Sequence, residues 1–328
     1  MLTRASRLVR PAIVTMLVLS ATLAHAAGYP ERPVRLIVSV GAGGIIDTLS
    51  RTVAKRLQER LGQPFVVENR PGAGSNIAGV ALATAKPDGY TLMVALDGLL
   101  TVNPGLYADM PFDPLKQFTP IGLLAGHGFR VLVAANDFPG DTVAAVIAYG
   151  KKHPGKLDFA SGGVGSPGHI YGELFQHDAG IRMQHIPFRS NPAAVLEVLA
   201  GRIPLMFSNP AGALPNLQAG KWKAIAIAGP DRSPLFPGLP TIAEAGLPQF
   251  TPGTYSFVLL GPAGLPSEIV DLLAAELSAI TTEPAYRRQL EQAGMGPQVI
   301  APAQLRQLLQ AGHDFWTPRV RQLGIRSE

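Results

Sequence analysis

The chain of 328 residues contains no cysteine. That excludes a disulfide framework, a thiolate metal site and a cysteine nucleophile. At this length a core large enough to dispense with disulfides is available. Histidine is sparse. His25, His127, His153, His169, His177, His185 and His313 are scattered without H-E-x-x-H or other ligand spacing, so no metal is expected. There is no basic stripe: Lys151-Lys152 and Arg287-Arg288 are the longest basic runs, and nucleic acid is not an expected partner. Charged residues make up 16% of the chain and hydrophobic ones 47%, which places it among globular rather than disordered proteins.

Long apolar runs are also missing. The longest, Ala12 to Leu23, is too short to cross a bilayer comfortably. It follows Arg4, Arg7 and Arg10 and precedes Ala24-His25-Ala26, a small-x-small cleavage pattern. Residues 1–26 therefore read as a signal peptide cleaved after Ala26, and the protein as exported to the periplasm. Three of the 28 basic residues leave with the leader, so 25 face 23 acids, a formal +2.

What remains is rich in strand–glycine–helix units. Val34–Val40 reads as a buried strand broken by Gly41-Ala42-Gly43-Gly44. Leu49, Val53, Leu57 and Leu61 then recur at helical spacing, and Gly62 stops the helix. Phe65–Glu68 (strand), Asn76–Ala85 (helix) and Thr91–Leu96 (strand) continue a β-α-β-α-β pattern that predicts a parallel sheet covered by helices. Residues 103–119, with three prolines, read as irregular chain. Alternation resumes from Val131 to Ala228, Pro230–Pro252 is again irregular, and a strand at Tyr255–Leu260 precedes three terminal helices. Two βα series of this length predict two α/β domains.

Three loops share one pattern: Val40–Asp47, Glu68–Gly79 and Ser161–His169. Helix N-termini leave N–H groups without partners, and glycine lets them approach a ligand. Such nests attract anions. A helix terminus is worth about 0.3–1 kcal/mol and a hydrogen bond to a charged group about 1.5–3 kcal/mol. Two or three such loops reach the roughly 8 kcal/mol of micromolar binding. Gly163, Gly165 and Gly168 also complete G-x-G-x-x-G, but no acidic residue ends the next strand, which closes on Phe188-Arg189. A dinucleotide is not expected, and no cofactor is assigned. Ser166 with His169 offers a second class of reading, a secreted hydrolase. However, Val164 breaks the G-x-S-x-G elbow and no orienting acid is identifiable.

Beside these loops stand "GQPFVVENRPGAGSNIAG", "KPDGYTL", the Asn103-Pro104 and Tyr107 region, "PFDPLKQFTPIGLLA", "SGGVGSPGH", "HIPF" and "LPTIAEAGLP". On these strings the mature chain resembles, over essentially its whole length, the Bug-type solute receptors of tripartite tricarboxylate transporters. The resemblance implies a two-domain, type II periplasmic-binding-protein flytrap, each domain a mainly parallel sheet flanked by helices. Domain 1 would comprise 27–126 plus 251–328 and domain 2 127–250, with the ligand cleft between them. It implies no catalysis. The receptor would be a monomer that captures a small organic acid or amino-acid-like ligand and delivers it to a two-subunit inner-membrane transporter. One ligand carboxylate would be held at Gly43, Gly44, Ser161, Gly163, Gly165, Ser166 and His169, with Ser75-Asn76 nearby and His169 acting as a neutral donor.

The sequence departs from the family pattern at four places. Gly41-Ala42 stand where prolines are usual, and Ile45-Ile46 where small hydroxyl residues are usual. Asp97 replaces Thr or Ser, and Ser208 replaces Asp. Either Ile45 and Asp97 face the ligand, favouring a carboxylate with an apolar or cationic remainder over a tricarboxylate, or Ile45 packs in the core and Asp97 caps a turn. Arg130 is expected either to neutralise a carboxylate or to be solvated, Asp47 to cap its helix, and Phe188 and Tyr255 either to line the cleft or to pack.

Overall fold

The computed structural model describes residues 28–326, so the leader lies outside the described residues. The first half of the chain runs β1 (Val34–Val38), α1 (Ile45–Leu61), β2 (Phe65–Asn69), α2 (Asn76–Ala83) and β3 (Thr91–Leu96). Three short helices follow, α3 (Gly98–Thr101), α4 (Asn103–Leu106) and α5 (Pro114–Gln117), and then the long β4 (Phe118–Gly128). A second series follows: β5 (Arg130–Ala135), α6 (Val143–Lys152), β6 (Leu157–Ser161), α7 (Pro167–Ala179), β7 (Met183–Pro187), α8 (Asn191–Leu199), β8 (Leu205–Ser208), α9 (Pro210–Gln218) and β9 (Trp222–Ala228). The chain closes with β10 (Tyr255–Pro262), α10 (Ser267–Thr281), α11 (Pro284–Gln292) and α12 (Pro302–Gln322).

These strands form two five-stranded sheets, ordered β2-β1-β3-β10-β4 and β7-β6-β8-β5-β9. The first three strands of each are parallel, and the last two run antiparallel to their neighbours. The sheets are therefore mixed rather than mainly parallel. The reason is topological. β10 enters the first sheet from the second series, and β5 enters the second from the end of β4, so neither arrives through a right-handed βαβ crossover.

Local sequence explains most elements. Leu49, Val53 and Leu57 bury one face of α1 completely against the first sheet; each such leucine contributes about 1.5–3 kcal/mol. Gly62 ends the helix in the left-handed conformation, φ 76°, its N–H donating to Gln58 O. Thr142, Ser190 and Asn209 cap α6, α8 and α9 by accepting N–H bonds from Ala145, Ala193 and Gly212. In α7, Gly172 lies so close to Phe159 of β6 that a Cβ would fall 2.1 Å from the ring.

Residues 103–119, read as irregular, contain α4, α5 and the start of β4. Pro120, Gly122, Gly126 and Gly128 disguise β4 as a loop. Those glycines exist because other groups press on the strand: Leu277 on Gly122 and the Tyr255 ring on Gly128. The terminal helices dock on the first sheet. Tyr286 Oη donates to Leu124 O (3.1 Å) and Thr317 Oγ1 to Thr101 O (2.9 Å), while Arg56 pairs with Glu283 (3.1 Å).

Candidate ligand-binding site

The C-terminal ends of β1 and β3 from one sheet and of β6 and β7 from the other converge on a cleft of about 650 Å³. Its walls include Ser39-Val40, Gly72–Ser75, Gly162–Ser166 and Phe188-Arg189. All three predicted loops reach this region, but they are built differently from one another.

The second loop supplies the most strained backbone. Gly72, Ala73, Gly74 and Ser75 have φ values of 126°, 46°, 59° and 82°. Two of these are non-glycine residues in a costly region, a feature that clusters at ligand clamps. The strain is held by side chains. Asn103 Nδ2 donates to Gly74 O (2.8 Å) and to Asn76 Oδ1 (2.9 Å), and Ser75 Oγ donates to Ser39 Oγ (3.0 Å). A Cβ on Gly74 would meet Tyr107 Oη at 2.6 Å. Asn103 is almost fully buried. Asn103→Ala would leave the Gly74 carbonyl and the Asn76 amide unpaired, at a cost of about 2 kcal/mol. The expected result is a melting point lower by several degrees and weakened ligand binding. A variant that melts and binds like the parent would show that the loop holds its shape without Asn103.

In the third loop the glycine N–H groups already have protein acceptors. Gly163 N–H donates to Ser161 Oγ (3.1 Å) and Gly165 N–H to His169 Nδ1 (3.1 Å). Ser161 Oγ lies 2.6 Å from His185 Nε2, and the His169 and His185 rings stack with centroids 4.0 Å apart. Burial pushes His169 down to about 3, helped by the neighbouring His185, and pushes His185 down to about 4. Both imidazoles are neutral. Because His169 Nδ1 accepts, its proton sits on Nε2, facing Glu173 Oε1 at 3.8 Å. His169, expected as a donor to ligand, is instead a buried acceptor beneath the loop. Ser161 is fully buried with it. Gly162 and Val164 also line the cleft, and among the described residues no acceptor is found for their N–H groups.

Ser166 lines the cleft and caps α7 by accepting the His169 N–H (3.4 Å). That bond comes from the backbone of His169, so the imidazole is not placed as a base for Ser166.

The first loop contributes Ser39-Val40 rather than Gly43, Gly44 or Ile45, which lie outside the cleft walls. Gly43 N–H donates to Asp47 Oδ2 (3.0 Å), and Asn69 Nδ2 donates to Asp47 Oδ1 (2.9 Å). Burial alone would raise the Asp47 pKa. Hydrogen bonds from Arg51, Gly43 and Asn69 outweigh it and hold the carboxyl below its ordinary value. The loop is thereby folded back onto its helix. Ile45 packs partly buried against the core and Ile46 lies within it.

Asp97 and Ser208 are also not in this cleft. Asp97 Oδ2 accepts Ser256 N–H (2.9 Å), tying β3 to β10, and the residue lines a neighbouring cavity of about 220 Å³. Burial pushes its carboxyl up to about 7. Ser208 is fully buried and donates to Asn209 O (3.2 Å). Arg130 is only 7% exposed, its guanidinium 4.7 Å from the Tyr255 ring centroid, and is not solvated. Phe188 lines the cleft and Tyr255 the neighbouring cavity. Sequence reasoning missed Ser39, Asn103, His185 and Arg189. Only Asn103 and His185 stood within strings that carried the family resemblance, and neither has a spacing that reveals its partner.

Two similarly ordered α/β sheets with a cleft at the C-terminal ends of their strands define a two-domain solute-binding protein of the periplasmic-binding-protein type. The chain belongs to the family described as the tripartite tricarboxylate transporter family receptors, whose pattern it matches over residues 49–325. It is 33% identical to the protein BugT of Bordetella pertussis, with 91% of each chain covered. Among solved structures, it resembles R. palustris Rpa4515 with adipate (31% identity, TM-score 0.84, 90% of this chain and 98% of that one). It also resembles MatC from Rhodopseudomonas palustris with bound malate (32% identity, TM-score 0.83, 89% of this chain and 100% of that one). The chain is thus a solute-binding receptor.

Proposed function

We propose that this receptor captures a small carboxylate-bearing solute in the periplasm, after removal of residues 1–26, and passes it as a monomer to a two-subunit inner-membrane transporter. The carboxylate lies against the second and third loops, near Ser75, Gly162, Val164 and Ser166. Gly163, Gly165, Ser161 and His169 hold the third loop's shape from behind, and Asp47 does the same for Gly43 and Gly44. The lobes correspond to 27–126 plus 251–328 and to 127–250, and they close over the solute by hinge motion at the two chain crossings. The protein binds without turnover. The observation that carries this reading is the convergence of braced turns from both sheets on one cleft. The relatives crystallised with adipate and with malate support the ligand class.

The test is a thermal-shift and calorimetric screen of mono- and dicarboxylates. A ligand of the native state stabilises by RT ln(1 + [L]/Kd), about 2.7 kcal/mol at a hundredfold excess over Kd, which for a chain of this size raises Tm by roughly 4 °C. Saturable shifts with small carboxylates, weakened when Ser75 or Ser166 is changed to bulky Leu, are expected. If no carboxylate shifts Tm, the reading fails.

A further inference from the structure

Behind the loop cleft lies a second cavity that the proposed carboxylate contacts do not use. The two share Leu96 and Gly165 as walls. Gly98 and Gly165 come close at this shared wall: a Cβ on Gly98 would lie 3.8 Å from Gly165 O. Beyond it the cavity walls are largely apolar. Val102 and Ile170 contribute, and α12 adds Leu305, Leu309 and Trp316. The cavity's uncharged polar residues are Thr101, Tyr171, Thr254, Tyr255, Ser256 and Gln298. Asp97 is the one carboxylate among the described residues lining it, His127 is the one imidazole, and no Lys or Arg is present. One Asp97 oxygen is committed to Ser256 N–H, and the residue retains partial exposure toward the cavity.

Resting on the carboxylate-receptor reading above, we infer that this second cavity receives the far end of the ligand, an apolar chain ending in a hydrogen-bond donor, foremost an ammonium, that Asp97 accepts. The carboxylate stays at the loops, the chain passes between Leu96 and Gly165, and the donor meets Asp97. Above pH 7, where Asp97 is ionised, a second carboxylate in that position faces a like charge, and the nearest cation, the buried Arg130 guanidinium, lies behind the Tyr255 ring rather than in the walls. The receptor therefore takes ω-amino and ω-hydroxy monocarboxylates in preference to dicarboxylates of the same length. The rival placement of a dicarboxylate keeps both ends in the outer cleft, where exposed Arg189 lies at the wall.

Calorimetry with ω-aminohexanoate, ω-hydroxyhexanoate, hexanoate and adipate on the mature protein tests this. The expected order places ω-aminohexanoate about ten- to a hundredfold tighter than adipate, the worth of one hydrogen bond to a charged group, with the hydroxy acid between. Asp97→Asn should reduce that preference to within about threefold. Gly98→Val, which adds bulk at the wall the two cavities share, where a Cβ meets only ordinary contacts, should remove ω-aminohexanoate binding while leaving that of a short acid such as malate. Adipate binding more tightly, with its advantage lost in Arg189→Gln, overturns the inference. So does an ω-amino preference that survives both Asp97→Asn and Gly98→Val. If short carboxylates bind and no six-carbon acid does, this inference fails and the receptor reading stands. If no carboxylate binds, both fail.

Discussion

Asp97→Asn is expected to stabilise the ligand-free protein above pH 7 by about 2–3 kcal/mol and to leave its stability near pH 4 unchanged. Burial holds the Asp97 proton up to about pH 7 in the folded chain, whereas an unperturbed carboxyl releases it near 3.8. Between those values the folded state binds more protons than the unfolded one, so stability falls as pH rises through the window and the full cost is in place above pH 7. Each unit is worth about 1.4 kcal/mol. Three units would give about 4 kcal/mol, reduced because the cavity admits some solvent. Asn removes the titration and keeps an oxygen to accept the Ser256 N–H. Melting curves at about pH 4 and pH 8 measure the effect, which at pH 8 amounts to roughly 3–5 °C. A variant that is destabilised at pH 8, or shifted equally at both values, would mean that Asp97 is an ordinary ionised carboxylate.

The fold was legible wherever periodicity was clean. Leu49, Val53 and Leu57 marked α1, and Thr91–Leu96 and Trp222–Ala228 read as the strands they are. It was illegible where tertiary contact overrode local signals. β4 carries Pro120 and three glycines because α10, the Tyr255 ring and Gln298 press against it. α9 carries Pro210, Gly212 and Pro215 and starts from the Asn209 cap. At the site, sequence pointed to three loops that the structure brings to one cleft, but not to which of their N–H groups already have protein acceptors. A glycine N–H looks available in a sequence. Whether Ser161, His169 or Asp47 already accepts it depends on side chains that meet only in three dimensions. The same holds for Asn103, which sits 29 residues from the Gly74 carbonyl it clamps.

This bracing has a functional consequence. Turns whose own N–H and C=O groups are satisfied from behind keep one conformation in the absence of ligand, so binding does not carry the cost of ordering them. The two lobes contribute in different ways: the second loop by backbone strain held by Asn103 and Ser75, the third by a neutral serine–histidine–histidine stack. In the proposed closing motion, the two surfaces that meet are already shaped.

That stack makes the protein sensitive to acid, and His169→Asn is expected to blunt the sensitivity. In the folded state His169 stays neutral down to about pH 3 and His185 down to about pH 4, both chiefly through burial. In the unfolded chain each takes up a proton near 6.5. Below that value the unfolded state binds more protons, so stability is fully present above pH 6.5 and is lost as pH falls toward 4. Each buried histidine costs about 1.4 kcal/mol per pH unit, the half-buried His185 less. Asp97 acts with the opposite sign over pH 3.8–7 and cancels roughly one such contribution, leaving a net loss on the order of 1 kcal/mol per unit. Asn at position 169 can still accept the Gly165 N–H, because its Oδ1 occupies the place of Nδ1. It forfeits the ring stack, so the variant starts less stable at pH 8 but loses little more by pH 5. In Asp97→Asn, with the opposing titration gone, the acid loss becomes steeper than in the parent. Urea denaturation of the three proteins at about pH 8 and pH 5 separates these slopes. A parent that gains stability on acidification, or a His169→Asn slope equal to the parent's, would mean that the pair is protonated in the folded protein. The third loop would then be held by charge rather than by a neutral acceptor.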